Sequence, residues 1–136
     1  MNAESLDVVY GLLSEARRRY VLYYFLDNEH ANIDGLSLQI AAWERDLTVD
    51  AVSEDHKQTV MLSLIHSHLP KLADHRLVEY DDRTGDVIAD DEFDDIRSTV
   101  SRARTDDEQV EVTGDSKESF LYSEPLARSA NNDQSD

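Results

Sequence analysis

The sequence predicts a mainly α-helical domain with a small β-hairpin, followed by one more amphipathic helix and an acidic tail. Three observations lead there. Through the first half of the chain, apolar residues recur at spacings of three and four, the mark of helices with one buried face. From Leu77 the pattern changes to two short apolar runs around an Asp- and Gly-containing turn. From Thr105 onward the apolar content falls below what a core requires.

Leu6 to Leu26 is helical in character, with Ser14 as the N-cap that divides a short helix from a longer one. Val21, Leu22, Phe25 and Leu26 supply the longer helix's buried stripe. Residues 27–32 read as a polar turn, and Ile33 as an isolated strand contact. Asp34 is expected to cap a second helix, with Leu36, Ile40 and Trp43 inward and an end near Arg45. A linker anchored by Leu47 and Val49 leads to Ser53, which with Glu54 and Asp55 places oxygen and negative charge at the start of a third helix. That helix is the longest, with Leu62, Ile65, Leu69 and Leu72 predicted on its core face and a kink or boundary at Pro70. Leu77–Tyr80 and Val87–Ala89 read as strands joined by the turn Asp81–Asp86. Phe93, Ile96, Val100 and Ala103 form a narrow apolar seam on a last helix, able to pack on the domain or on a second copy. The expected divisions are a domain over 6–90, the amphipathic helix over 91–104 as a dimerisation element, and a flexible tail over 105–136.

Composition excludes several function classes. The chain has no cysteine, which removes disulfides, thiolate catalysis and Cys-based zinc sites. The residues from Met1 to Ser5 lack a basic stretch and an apolar signal core, and no apolar run reaches membrane-spanning length, so a soluble, unprocessed, cytoplasmic protein is expected. Asp and Glu number 30 against 13 Lys and Arg, for a net charge of −17. The acids are mostly Asp, and the only lysines are Lys57, Lys71 and Lys117, the surface composition of proteins adapted to high salt. In molar salt the Debye length is about 3 Å, so distant acids repel DNA phosphates weakly. Counterion release then contributes little, and DNA contact has to rest on shape and hydrogen bonds.

Three helices followed by a hairpin is the winged-helix order, in which the third helix is offered to the DNA major groove and the hairpin to the flanking backbone. The string Ser67-His68-Leu69-Pro70-Lys71-Leu72, followed by Leu77-Val78-Glu79-Tyr80-Asp81, resembles the recognition-helix end and first wing strand of winged-helix repressors of the arsenical-repressor type. Together with the stretch Ser14 to Leu22 and Ile40-Ala41-Ala42-Trp43-Glu44, it is similar to a haloarchaeal winged helix-turn-helix domain family of unknown function. The resemblance covers roughly residues 6–90 and implies a winged-helix fold and a regulatory role. Two departures stand out. Repressors of the arsenical type place Gly before the Leu-Val that begins the wing, and this chain has Arg76, so a different helix-to-wing corner is expected. Their metal-binding cysteines are missing, which removes metal sensing by that route.

Thr59, Ser63, His66, Ser67 and Lys71 lie away from the predicted core stripe of the third helix and are the DNA-contact candidates. The alternative is a merely solvated face. Arg83 at the wing tip is suited to a minor groove or to pairing with Asp81, Asp82 and Asp86. The run Arg17-Arg18-Arg19 is poorly placed against its own helix dipole, which points to pairing, Glu15 with Arg19 for instance, or to phosphate contact by Arg18. His56, His66, His68 and His75 have no pair at four-residue spacing, so no metal is expected. Nor is a cofactor or catalysis expected, because no phosphate loop or nucleophile motif occurs. The leading expectation is a homodimeric transcription regulator of a halophilic archaeon that binds double-stranded DNA, with Phe93, Ile96, Val100 and Ala103 at the dimer interface. The alternative is a winged-helix protein-interaction module, with the tail segment from Ser119 to Leu126 as a docking peptide.

Overall fold

The structure, a computed structural model, describes residues 5–115, with side chains through residue 108. Helix α1 (Leu6–Leu13) and α2 (Ala16–Asp27) are followed by strand β1 (His30–Asn32) and α3 (Ile33–Arg45). A 3-10 turn (Val49–Ala51) leads into α4 (Glu54–Ser63), a π-turn (Leu64–His68) and α5 (Leu69–Asp74), which form one continuous rod. Strands β2 (Val78–Asp81) and β3 (Asp86–Ala89) precede the last helix, α6 (Phe93–Asp115). The fold is mainly helical with a small antiparallel sheet of order β1-β3-β2.

Helix α2 runs through the centre, with Val21, Leu22, Tyr23 and Phe25 all buried. Helix α6 closes over it. Phe93, Ile96 and Val100 are inside the domain's own core and Ala103 packs against it, so the seam expected at a dimer interface is occupied within the chain. The reason is geometric: α2 is apolar around much of its circumference and needs cover on the side that α1 and α3 leave open. The helix also continues to Asp115, past the expected boundary at Thr105. Ion pairs hold that extension, with Arg104 on Asp27 at 3.0 Å and Asp107 on Arg19 at 3.0 Å. The tail segment from Ser119 to Leu126 lies outside the described residues.

Several local expectations are corrected. Ser14 ends α1 instead of starting α2, its hydroxyl donating to the Gly11 carbonyl at 2.7 Å, and Glu15 is the residue before α2. The polar stretch before α3 contains a strand: Ala31 is buried between exposed His30 and Asn32, and β1 pairs with β3. Asn32, not Asp34, caps α3 by accepting from the Asp34 amide, while Ile33 belongs to the helix and its amide donates to the Gly85 carbonyl at 2.7 Å.

The rod formed by α4, the π-turn and α5 departs most from the pattern. Its core face is His56, Val60, Leu64, Leu69 and Leu72, while Leu62 is 53 % exposed and Ile65 half-buried. The π-turn is the cause. The Leu69 amide reaches back to the Leu64 carbonyl, so one extra residue enters the turn and the buried stripe jumps five positions instead of three or four. Pro70, with no amide to donate, sits in the first turn of α5, where none is needed.

The corner from α5 into β2 is left-handed despite the absence of glycine. Arg76 has φ 61°, the Arg76 amide donates to Ala73, and that of Leu77 to Leu72. This is a Schellman closure, with Leu72 and Leu77 both buried. The turn of the β2–β3 hairpin, the wing of the expected fold, has another left-handed residue, Gly85 at φ 83°, where an added Cβ would lie 3.0 Å from Ile33 Cγ2.

Candidate nucleic-acid interface

The outer face of the α4–α5 rod begins at Ser53, whose hydroxyl caps α4 by accepting from the His56 amide. Thr59, Leu62, His66, Ser67, Pro70 and Lys71 are exposed along it. Thr59 donates its hydroxyl to the Asp55 carbonyl at 3.0 Å and keeps lone pairs free to accept. Among the described residues, the side chains of His66, Ser67 and Lys71 have no hydrogen-bond or ion-pair partner. No Asp or Glu occurs from His56 through Ala73, the longest acid-free run in a chain with 30 acids. This stretch carries Lys57, Lys71, His56, His66 and His68, and exposed Asp55 and Asp74 bound it at either end.

Behind this face lie the arginines of α2. Arg17 forms a bidentate pair with Glu44 of α3 and donates to Ser63 Oγ at 3.0 Å. The buried His56 ring meets Glu44 Oε1 at 2.9 Å. Burial works against ionisation of Glu44, but the bonds from Arg17 and His56 outweigh it and hold the carboxyl below the usual range. Ser63 is thereby taken from the outer face into a bridge joining α2, α3 and α4.

Arg18 is 9 % exposed and does not face solvent as a phosphate contact would require. Its guanidinium donates to the carbonyls of Leu12 at 2.9 Å and Gly11 at 3.2 Å, and lies 3.4 Å from His68 Nδ1. Arg19 donates to the Leu13 carbonyl and to Asp107, not to Glu15. Cations badly placed for the start of α2 are well placed for the end of α1, whose last carbonyls have no helical partner. Burial, with Arg18 beside it, pushes His68 below its ordinary value.

The wing differs in character. Glu79, Asp81 and Asp86 line the outward side of the sheet around Ile88, which is 38 % exposed. His30 lies 3.2 Å from Asp86. Arg83 is drawn onto Asp81 through both ends of its guanidinium, and this contact holds the Asp81 carboxyl low. Of the residues singled out from sequence, Thr59, His66, Ser67 and Lys71 share one surface; Ser63 lies beneath it, Arg83 is committed to the wing, and Arg18 is internal. Leu62 was assigned to the core and belongs to the surface group. The acid-free run marks this surface in the sequence. No group of three or more potential metal ligands occurs among the described residues.

A family model described as "Domain of unknown function (DUF7344)" matches residues 10–88, more than half of the chain. The chain belongs to this family. The DUF7344 match begins inside α1 and ends inside β3, so it takes in the α4–α5 face and nearly all of the sheet, and leaves out α6. No curated protein and no solved structure matches.

Proposed function

We propose that this DUF7344 protein is a winged helix-turn-helix transcription regulator that sets the α4–α5 face in the major groove of double-stranded DNA. It acts by binding, not by catalysis. The observation that carries the reading is the acid-free run from His56 through Ala73 on α4–α5, with His66, Ser67 and Lys71 exposed and without partners among the described residues, in a chain of net charge −17. Hydroxyl, imidazole and ammonium groups suit phosphate and base-edge contacts. The order of helices and hairpin is the one that presents such a helix to a groove. The acidic, lysine-poor composition supports the cytoplasm of a halophilic archaeon as its setting, and no described helix is long and apolar enough to cross a membrane. Pairing of two copies is part of the proposal, since two-fold symmetry would bring two such faces to successive grooves. With the α6 seam used internally, exposed Leu6 and Tyr10, one turn apart on α1, are the adjoining apolar side chains available for it.

The test is a fluorescence titration in molar KCl against promoter fragments, the gene's own included. Binding is expected, and Ser67→Glu or His66→Glu should each weaken it. Absence of binding to every fragment would overturn the proposal. The second reading, a protein-interaction module, draws on the acidic wing around exposed Ile88. A pull-down from native lysate in which Ile88→Glu, but not Ser67→Glu, loses a partner would favour it.

A further inference from the structure

Leu62 is the large aliphatic side chain of the α4–α5 rod that stands mostly in solvent, at 53 % exposure. Nothing in the fold asks for it there: the π-turn hands the core positions to Val60, Leu64 and Leu69, all buried. Its neighbours on the same face, one turn away in either direction, are Thr59 and His66. Ser67 and Lys71 lie further along. Leu62 is thus the one large apolar side chain of the rod that is more than half exposed, set among hydrogen-bonding groups with Met61 and Ile65 half-buried beside it. A protein-docking centre clusters several large apolar or aromatic side chains. In the major groove, by contrast, the bases offer hydrogen-bonding edges and a single kind of apolar projection, the thymine C5 methyl.

Resting on the DNA-binding reading above, we infer that Leu62 is a specificity-determining residue that packs on a thymine methyl, with Thr59 and His66 bonding the flanking edges or phosphates. The preferred duplex therefore contains an A·T pair opposite the junction of α4 and the π-turn.

The experiment uses the full chain and a random-sequence duplex pool selected in molar KCl, followed by resynthesis of the selected duplex with deoxyuridine replacing each thymidine in turn. Removing the one methyl that Leu62 covers should weaken binding about fourfold, the value of one buried methyl-sized group. In Leu62→Ala, whose exposed position spares the fold, thymidine and deoxyuridine duplexes should bind equally. Equal binding of the two duplexes by the unaltered protein would overturn the inference and leave DNA binding standing. A thymidine preference that persists in Leu62→Ala, or a selected site of G·C pairs alone, would overturn it in the same way. Failure to enrich any duplex would overturn both.

Discussion

The α4–α5 face and the wing face are built from adjoining stretches of chain and carry opposite electrostatics. The helix face has no acid between Asp55 and Asp74, and among the described residues the side chains of His66, Ser67 and Lys71 on it have no partner. The wing concentrates Glu79, Asp81, Asp82 and Asp86, and its one cation, Arg83, is neutralised by Asp81. The wing follows the acidic composition of the chain, and the stretch from His56 through Ala73 departs from it. In a protein whose default surface is acidic, the informative region is the one where acid is missing.

The contrast can be broken first from behind. Replacing Arg18 with Leu leaves the Leu12 carbonyl without its buried donor and removes one of the cations at the end of α1, at a cost of about 3 kcal/mol. Thermal or urea unfolding measures it, and DNA affinity should fall with stability because the α4–α5 rod loses its support. The double change His66→Glu, Ser67→Glu places acids within the acid-free run. It should cost about 2 kcal/mol of binding with unfolding unchanged, whereas Asp82→Asn on the wing should alter affinity by less than about 0.5 kcal/mol. Equal effects at the two places would erase the distinction between them.

On the wing itself, Gly85→Ala meets both a left-handed backbone and the Ile33 methyl, and should destabilise the fold by about 2 kcal/mol in denaturant titration. At the corner joining the two regions, Arg76→Gly relieves the positive φ and should stabilise by about 0.5–1 kcal/mol, measured in the same way. The smallest effect is a pH dependence. His68 sits below its ordinary value of 6.5 in the folded chain, so the unfolded chain binds the proton more readily. Stability is therefore full above about pH 6.5 and declines as pH falls through the lowered folded value. His68→Gln should flatten that part of the melting-temperature profile, apart from the separate loss at lower pH as Glu44 is protonated.

Much of the fold was legible. Periodicity identifies α3 and the strands of the hairpin, because each has one buried and one exposed side, while α2 is legible from its dense apolar run. The errors fall where a residue answers to a distant partner. Leu62 and Ile65 fit a helical stripe as well as Val60 and Leu64 do, and only the π-turn before Pro70 separates the two sets. His30–Asn32 is polar enough for a turn and becomes a strand because β3 offers it an edge. The seam on α6 was correctly read as apolar, but periodicity cannot say whose surface it meets. Of the candidate interface, Thr59, His66, Ser67 and Lys71 were legible from spacing, and the acid-free run was present in the composition. The roles of Arg18 and Ser63 were not, since both are set by carbonyls and guanidinia brought in from other helices.

By itself the sequence determined a mainly helical domain with a small hairpin, an acidic composition without cysteine, and an acid-free run from His56 through Ala73, because these follow from local periodicity and residue counts. Only the tertiary structure decided that the Phe93, Ile96 and Val100 seam closes on its own core, that Arg18 and Arg19 cap α1 while Arg17 bridges to Glu44, and that Leu62 faces outward. Those outcomes depend on which helix lies against which, and burial is a property of that packing.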